Sequence, residues 1–310
     1  MIYTVTLNPA LDRTLEVEHL HWDEVNRVTR EVRYAGGKGI DVSRALKELG
    51  WKSVALGFIG GYDGHEVAGR LGEEGVICRF TPITNETRTN IIVHDRSQGG
   101  VTALNAQGPE IAPHELASFL QHLDYLFPPP TYLVCSGSIP PGVPTDIYRR
   151  LIDWARPRGV KVVLDADGAA LREGIAAAPF AIKPNRRELS RLIGKEVSTV
   201  QEAAASVREL YNGGIEVVLV SLGPDGMVGL SAEGAYHAMP PRVEVSSPVG
   251  AGDSAVAGFL AAQLQGYGLA EALRLATAAG TAAVLTSGTE LCRRDDVERL
   301  ERQVSVTPIG

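Results

Sequence analysis

The stretch Pro248-Val249-Gly250-Ala251-Gly252-Asp253-Ser254 runs directly into the apolar segment Ala255–Leu264. A Gly-Ala-Gly turn at a helix start leaves successive backbone N–H groups open. Together with the positive end of the helix dipole, these groups make an anion hole. Asp253 falls in the first turn, beside that hole. A carboxylate there can take the proton from a hydroxyl that attacks a phosphorus atom held by the amides. That is the minimal apparatus of phosphoryl transfer: a positioned nucleophile, neutralised charge and one proton acceptor. The same residues would also serve as a helix N-cap and a tight turn, so the rest of the chain must decide.

A second glycine-rich turn, Ala35-Gly36-Gly37-Lys38-Gly39-Ile40-Asp41, leads into another helix. A lysine in a first turn opposes the helix dipole, so Lys38 is better explained as a grip on a phosphate that approaches the backbone. The spacing is not that of a Walker P-loop, since Val32 stands where its first glycine should be and Gly39 follows Lys38. Asp12, in Asn8-Pro9-Ala10-Leu11-Asp12 after the first strand, is expected at a carboxyl end of the sheet, where open α/β folds place ligands. Arg88 and Arg27 can each clamp a phosphate or simply face solvent. In Lys183-Pro184-Asn185-Arg186-Arg187-Glu188, Asn185 and Glu188 share a helical face and can hold a hydrated Mg²⁺ between them. A capping box between the same two residues is the competing reading. Ser221-Leu222-Gly223-Pro224-Asp225-Gly226 is a turn that can cover nucleotide phosphates or serve as a plain hairpin.

These groups need a scaffold that brings strand ends and helix starts together. Strands are expected at Ile2–Leu7, Ser53–Ile59, Thr131–Cys135, Val160–Asp165, Phe180–Lys183 and Glu216–Ser221. Helices are expected at Ile40–Leu49, His65–Gly72, Thr145–Ala155, Arg187–Ile193, Val200–Tyr211, Ser254–Leu264 and Leu269–Leu285. This alternation predicts a doubly wound, mostly parallel sheet flanked by helices. Arg13–Tyr34 and Thr87–Leu104 interrupt the alternation. They are expected to form a small antiparallel sheet, a lid over a crevice, with a turn at Gln98-Gly99-Gly100. Pro128-Pro129-Pro130 is a short stiff connector, and no internal repeat is visible.

Composition narrows the function classes. The 310 residues are 44% hydrophobic and 22% charged, the balance of a soluble globular protein. A net charge of −7 argues against a general nucleic-acid or membrane-surface role, though not against a small anionic substrate. Cys78, Cys135 and Cys292 form no CxxC pair and no metal spacing, which suits a reduced, cytoplasmic protein. Met1–Leu7 reads as a strand without a basic region before it, so no signal peptide is expected. Ser254–Thr286 is broken by Gln263, Gln265, Glu271 and Arg274, so it is read as packed helices and not as a membrane span.

The combined motifs resemble the PfkB (ribokinase-like) carbohydrate kinases, in the branch of 1-phosphofructokinase and tagatose-6-phosphate kinase. The likeness runs in order through Thr6–Asp12, Gly36–Gly39, Ser136-Gly137-Ser138-Ile139-Pro140-Pro141-Gly142, Lys183–Asn185 with Glu188, Ser221–Gly223 and Gly250–Asp253. It implies one kinase domain over residues 1–310, with lid segments near 13–34 and 87–104. It implies Asp253 as catalytic base and the amides of Gly250, Ala251, Gly252 and Asp253 as the anion hole. Asp12, Gly37, Lys38, Asp41, Arg88, Ser136 and Arg27 are then expected to bind the sugar phosphate. Lys183, Asn185, Ser221, Gly223 and Gly226 are expected to serve ATP, and Asn185 and Glu188 its Mg²⁺, through water. A homodimer paired through the lid is also implied.

One departure stands out. The branch usually carries Asn where Asp41 stands here, and an ionised Asp accepts hydrogen bonds but donates none. The expected reaction is ATP-dependent phosphorylation of a ketohexose monophosphate, fructose 1-phosphate first, with tagatose 6-phosphate and fructose 6-phosphate as alternatives. A catalytically silent sugar-phosphate sensor on the same fold is the alternative of another class, and the intact Gly-Ala-Gly-Asp turn argues against it. A dinucleotide-dependent oxidoreductase is disfavoured because Asn8-Pro9, not Gly-x-Gly-x-x-Gly, follows the first strand.

Overall fold

The computed structural model describes residues 1–97, 99–286, 288 and 290–309. Among these lie fourteen strands and ten helices. In chain order they are β1 (Ile2–Thr6), β2 (Ala10–Val17), β3 (Arg30–Gly36), α1 (Lys38–Glu48), β4 (Ser53–Ile59), α2 (Gly61–Glu73), β5 (Ile77–Pro82), β6 (Arg88–Asp95), β7 (Gly100–Leu104), α3 (Pro113–Leu123), β8 (Tyr132–Ser136) and α4 (Ile147–Ala155). There follow β9 (Lys161–Asp165), α5 (Gly168–Ile175), β10 (Ala181–Ile182), α6 (Arg186–Ile193), α7 (Val200–Asn212), β11 (Val217–Ser221), β12 (Met227–Ser231), β13 (Gly234–Met239), α8 (Ala251–Leu264), α9 (Leu269–Ala283), α10 (Arg294–Glu301) and β14 (Ser305–Pro308).

One large sheet has the order β14-β13-β12-β11-β10-β9-β8-β1-β4-β5. From β11 through β5 its neighbours pair in parallel, whereas β12, β13 and β14 close one edge as an antiparallel meander. Connections leave β1 toward β4 on one side and β8 on the other, so the order switches direction at β1. Crevices at such a switch, outside the carboxyl ends of parallel strands, are where open α/β sheets take ligands.

Strand alternation divides the core. Tyr3 and Val5 of β1 pack into one buried cluster with Tyr148, Leu151 and Ile152 of α4, and with Val207 of α7. Ile2 faces the opposite cluster, with Val42 and Leu46 of α1 and the Ala-rich faces of α8 and α9. Helix α8 is buried without a break from Asp253 to Ala262, which is why its sequence is apolar all round. Its tight contact with α9 needs Gly258, where a Cβ would meet the Leu275 carbonyl at 2.7 Å.

A separate sheet of order β3-β2-β6-β7 forms the lid. The sequence reading expected it to be antiparallel, but β2 and β6 run parallel. Both strands continue from strands of the main sheet, β1 and β5, that end on the same side, so they leave it in the same direction. Asp12, too, does not sit at the end of the first strand. β1 stops at Thr6, before Asn8-Pro9, and Asp12 is inside lid strand β2, opposite Tyr34 and Asn90. Of the expected Gln98-Gly99-Gly100 turn, Gln98 lies outside the described residues. The helices α3, α5 and α10 and the strands β5, β13 and β14 add to the elements expected from the sequence. Among the described residues no helix is long and apolar enough to cross a membrane.

Candidate active site

Glycine and helix geometry set the two turns that the sequence singled out. Gly250 caps α8 in the left-handed region (φ 77°), where a residue with a Cβ would be strained and would press on Leu291. Ala251, Gly252 and Asp253 thus form the first turn of a fourteen-residue helix, with their N–H groups at its positive end. Helix α1 begins directly after Gly37, and the Ile40 N–H donates to Thr6 Oγ1 at 2.9 Å, which ties that start to the end of β1.

The two turns face one cavity of about 720 Å³, whose lining includes Asn8, Gly37, Lys38, Asp41, Arg88, Asn90, Gly137, Glu188 and Asp253. Around it are polar atoms that folding alone leaves without partners. Asp253 Oδ1, Asn8 Oδ1 and Arg88 Nε, all of lining residues, are buried and unbonded, as is Ser136 Oγ in the residue before the lining Gly137. Buried polar groups are nearly always paired in folded proteins, so three such orphans in the lining of one cleft mark where a polar ligand goes.

Charge is arranged unevenly in this cleft. Lys38 Nζ donates to Asp165 Oδ1 at 3.1 Å and lies 3.6 Å from Glu188 Oε1. Lys183, 3% exposed, reaches the other oxygen of Asp165 at 3.4 Å. It also packs against the turn from Gly250 to Asp253, since a Cβ on Gly252 would stand 3.2 Å from its Nζ. Burial opposes the charge of Asp165, yet Lys183 and Lys38 hold its carboxyl below the ordinary range. Burial likewise works against Lys38, but Asp165, Asp253 and Glu188 keep its pKa above the usual lysine value. For Asp253, burial first and then the Asp165 charge push the pKa up to about 7, against the pull of Lys38 and Lys183. A base poised near neutrality is the value that proton transfer at neutral pH favours.

Arg88 behaves differently. Its guanidinium donates to the backbone carbonyls of Ala106 (2.6 Å) and Asn8 (2.9 Å), which fix its plane without spending its charge. Asn90 Nδ2 donates to Asp12 Oδ1 at 2.8 Å, holding that half of the carboxylate in the lid. Burial raises the Asp12 pKa, with Asn90 and Arg88 acting against the rise.

Asn185 and Glu188 form the capping box that competed with the metal reading. The Glu188 N–H donates to Asn185 Oδ1 at 2.9 Å, and the Asn185 N–H donates to Glu188 Oε2 at 2.8 Å. Ser221 bridges to Asn185 at the end of β11. Gly223 and Gly226 close the next turn, where the Gly226 N–H donates to Gly223 O at 3.0 Å, and Asp225 of that turn pairs with Arg186. The expected nucleotide residues are therefore neighbours, and none of them is in the lining of the cavity. Arg27 is exposed in the β2–β3 connection and does not line the cavity of a single chain.

The sequence reading passed over Asp165 and Asn90. A lone carboxylate closing the apolar run Val162–Leu164, at the carboxyl end of an expected parallel strand, was the available signal for Asp165. Asn90 had no local signal, because its partner Asp12 is 78 residues away.

A mostly parallel α/β sheet under a four-stranded lid is the ribokinase-like fold. The chain belongs to the pfkB family of carbohydrate kinases, whose pattern it matches over residues 6–296. It is 37% identical over 307 residues to 1-phosphofructokinase from Bacillus subtilis (strain 168), covering 99% of each chain. Its structure is similar to that of phosphofructokinase-2 from Escherichia coli in complex with potassium (TM-score 0.93, 32% identity, 97% of this chain and 98% of that one). The same E. coli enzyme in complex with fructose 6-phosphate gives a TM-score of 0.91 at 31% identity over the same shares.

Proposed function

We propose that residues 1–310 act as one Mg-ATP-dependent kinase domain that converts a ketohexose monophosphate to the bisphosphate, with fructose 1-phosphate as preferred acceptor. The observation that carries this reading is the pairing of Asp253 and Arg88 across one cavity: a buried, unpartnered carboxylate near neutral pKa faces a guanidinium whose charge has no carboxylate bonded to it. The full-length likeness to a 1-phosphofructokinase favours the 1-phosphate over its isomers.

In this reading Arg88 clamps the substrate phosphate, with Asp12, Gly37, Lys38, Asp41 and Ser136 completing the sugar pocket. The free hydroxyl of the opposite arm lies against Asp253. Its oxygen forms the new bond to the γ-phosphorus of ATP, the bond from that phosphorus to the ADP oxygen breaks, and the hydroxyl proton passes to Asp253. The amides of Gly250, Ala251, Gly252 and Asp253, at the positive end of α8, hold the charge that builds on the transferred group. Lys183, Asn185, Ser221, Gly223 and Gly226 are assigned to the nucleotide.

A hydrated Mg²⁺ fits the residues present. Among the described residues there is no cluster of three His, Cys, Asp or Glu side chains to cage an ion. Mg²⁺ in nucleotide sites, however, keeps several waters and needs only one or two carboxylates beside the phosphates. Glu188 Oε1, the oxygen not used by the capping box, would hold it through water, with Asn185 beside it. The ion would neutralise phosphate charge. Pairing of two copies through the lid is supported by Trp22 and Val25, 78% and 93% exposed in the β2–β3 connection, and light scattering of the purified protein tests it.

The deciding assay is ADP release with Mg-ATP against fructose 1-phosphate, fructose 6-phosphate, tagatose 6-phosphate and unphosphorylated fructose. A kcat/KM highest for fructose 1-phosphate is expected. No ADP release with any of the four sinks the reading.

A further inference from the structure

Beyond β7, residues 105–112 form neither helix nor strand, and Asn105 lines the cavity. Three side chains of that cavity hold the backbone of this strap. Asn8 Nδ2 donates to the Gln107 carbonyl at 2.9 Å, Arg88 Nη1 donates to the Ala106 carbonyl at 2.6 Å, and Asn90 Oδ1 accepts from the Ala106 N–H at 3.1 Å. Arg88 and Asn90 are two apart on β6, so they share one face of the lid sheet. Asn90 is 8% exposed and stands opposite Asp12 of β2.

The proposed reaction gives Asp12 and Arg88 roles at the sugar phosphate and gives Asn90 none. The Asn90 amide has one orientation. The Ala106 N–H can only donate, so Oδ1 faces the strap and Nδ2 faces Asp12 Oδ1, 2.8 Å away. The hydrogen bonds therefore run in one direction, from the Arg88 guanidinium to the Ala106 carbonyl, from the Ala106 N–H to Asn90, and from Asn90 to Asp12. The second anchor of the guanidinium is the Asn8 carbonyl, 2.9 Å from Nη2. These two carbonyls fix its plane and leave Nε, buried and unbonded, for a ligand. Without Asn90 the Ala106 peptide is free to turn, and one of the two points that fix the plane is lost.

We propose that Asn90 is a positioning residue: through Ala106 it fixes the Arg88 guanidinium in the plane that receives the substrate phosphate, and it locks the Asp12 carboxyl in the same bonded unit. The inference rests on the phosphotransfer reading above. Both polar atoms of Asn90 are spent on protein groups, so it acts on the sugar phosphate through Arg88 and Asp12 and not by its own contact. Residues that work through one another give non-additive effects when both are removed, whereas a residue that only stabilises the fold adds its cost independently.

Steady-state kinetics of Asn90→Ala, Arg88→Met and the double variant, with fructose 1-phosphate and Mg-ATP, provide the test. Asn90→Ala is expected to raise KM for fructose 1-phosphate about tenfold, the lower end of what a hydrogen bond to a charged group is worth. Its kcat and its KM for ATP should stay within about threefold, since neither the Asp253 turn nor the nucleotide residues touch the strap. In the Arg88→Met background the same substitution should raise KM by about threefold or less, because the plane it fixes is gone. Asn90→Ser, too short to reach both partners, takes the place of the Ala variant if that one does not fold. An equal factor in both backgrounds, an unchanged KM for fructose 1-phosphate, or an equal rise in KM for ATP overturns the inference alone, provided that the unaltered enzyme phosphorylates fructose 1-phosphate. An unaltered protein that turns over no ketohexose phosphate overturns the reaction reading and this inference with it.

Discussion

Replacing Asp253 by Asn removes the proton acceptor while keeping its shape, and the buried setting of that residue makes two opposite effects expected. The first is on rate. Asp253 lies buried at the head of α8, with Oδ1 unbonded among the described residues. Loss of a positioned general base costs roughly 10²–10⁴-fold in turnover. Nucleotide affinity should stay within a few-fold, because the helix amides remain. In the unaltered protein, turnover should fall about tenfold per pH unit below about 7 as Asp253 becomes protonated.

The second effect is on stability. The carboxyl titrates near 7 in the fold against an ordinary 3.8, a shift of roughly three units, and each unit is worth about 1.36 kcal/mol. A raised acid pKa means that the protonated fold is favoured. Stability from this group is intact below about pH 4 and declines as pH rises from there through about 7, by at most about 4 kcal/mol. Asp253→Asn should therefore melt higher than the unaltered protein at pH 8 and nearly level with it at pH 4. Scanning calorimetry at the two pH values, with a coupled ADP assay from pH 6 to 8.5, measures both effects. Turnover within tenfold of the unaltered enzyme, or a melting difference independent of pH, would falsify the assignment of Asp253 as a buried base.

Three further outcomes follow from the geometry. Arg88→Met should raise KM for fructose 1-phosphate about 10- to 100-fold, the worth of a charged phosphate contact, and should leave turnover of unphosphorylated fructose nearly unchanged; equal losses on both would remove Arg88 from phosphate recognition. Asp165→Asn leaves Lys183, 3% exposed, without its carboxylate, so urea titration at pH 7 should show a loss of about 3–5 kcal/mol; a loss under about 1 kcal/mol would mean that Lys183 has another partner. Gly39→Ala sets a Cβ 2.6 Å from Thr6 Oγ1 and 2.9 Å from the Val5 carbonyl, which must push α1 off β1, so stability should drop by about 1–3 kcal/mol and the KM for sugar phosphate should rise with it. An unshifted KM in that variant would separate the start of α1 from the sugar pocket.

How much of this could be read in the chain depends on how local each signal is. The alternation of apolar strands and amphipathic helices is local, so β4 was expected with its observed bounds, and α6 and α7 within one residue at each end. The turn from Gly250 to Asp253 at the head of α8 was legible for the same reason: glycines, a carboxylate and a helix start follow one another without a gap. Residues that act through distant partners were not legible. Asp165 closes a strand more than a hundred residues from Lys38, and the pair exists only because β9 lies two strands from β1 in the sheet. The parallel pairing of β2 with β6 has the same origin, since no property of either segment states on which side of the main sheet it leaves.

The Asn185–Glu188 pair shows why a local pattern can carry two meanings at once. Three-residue spacing at a helix start is what a capping box needs, and the structure forms one. That box uses Asn185 Oδ1 and Glu188 Oε2 but leaves Glu188 Oε1 turned toward Lys38 at 3.6 Å. The cap therefore does not compete with a role in charge. It holds the carboxylate still, buried and aimed at the cavity, as a positioned ligand for a hydrated cation or for Lys38 must be. If this is correct, Glu188→Gln should keep the cap, because a Gln side-chain oxygen can still accept from Asn185 N–H, while it weakens the dependence of turnover on Mg²⁺. Melting temperature unchanged with an Mg²⁺ requirement raised about tenfold or more is the expected result. A variant with lowered melting temperature and an unaltered Mg²⁺ requirement would leave Glu188 with the cap alone.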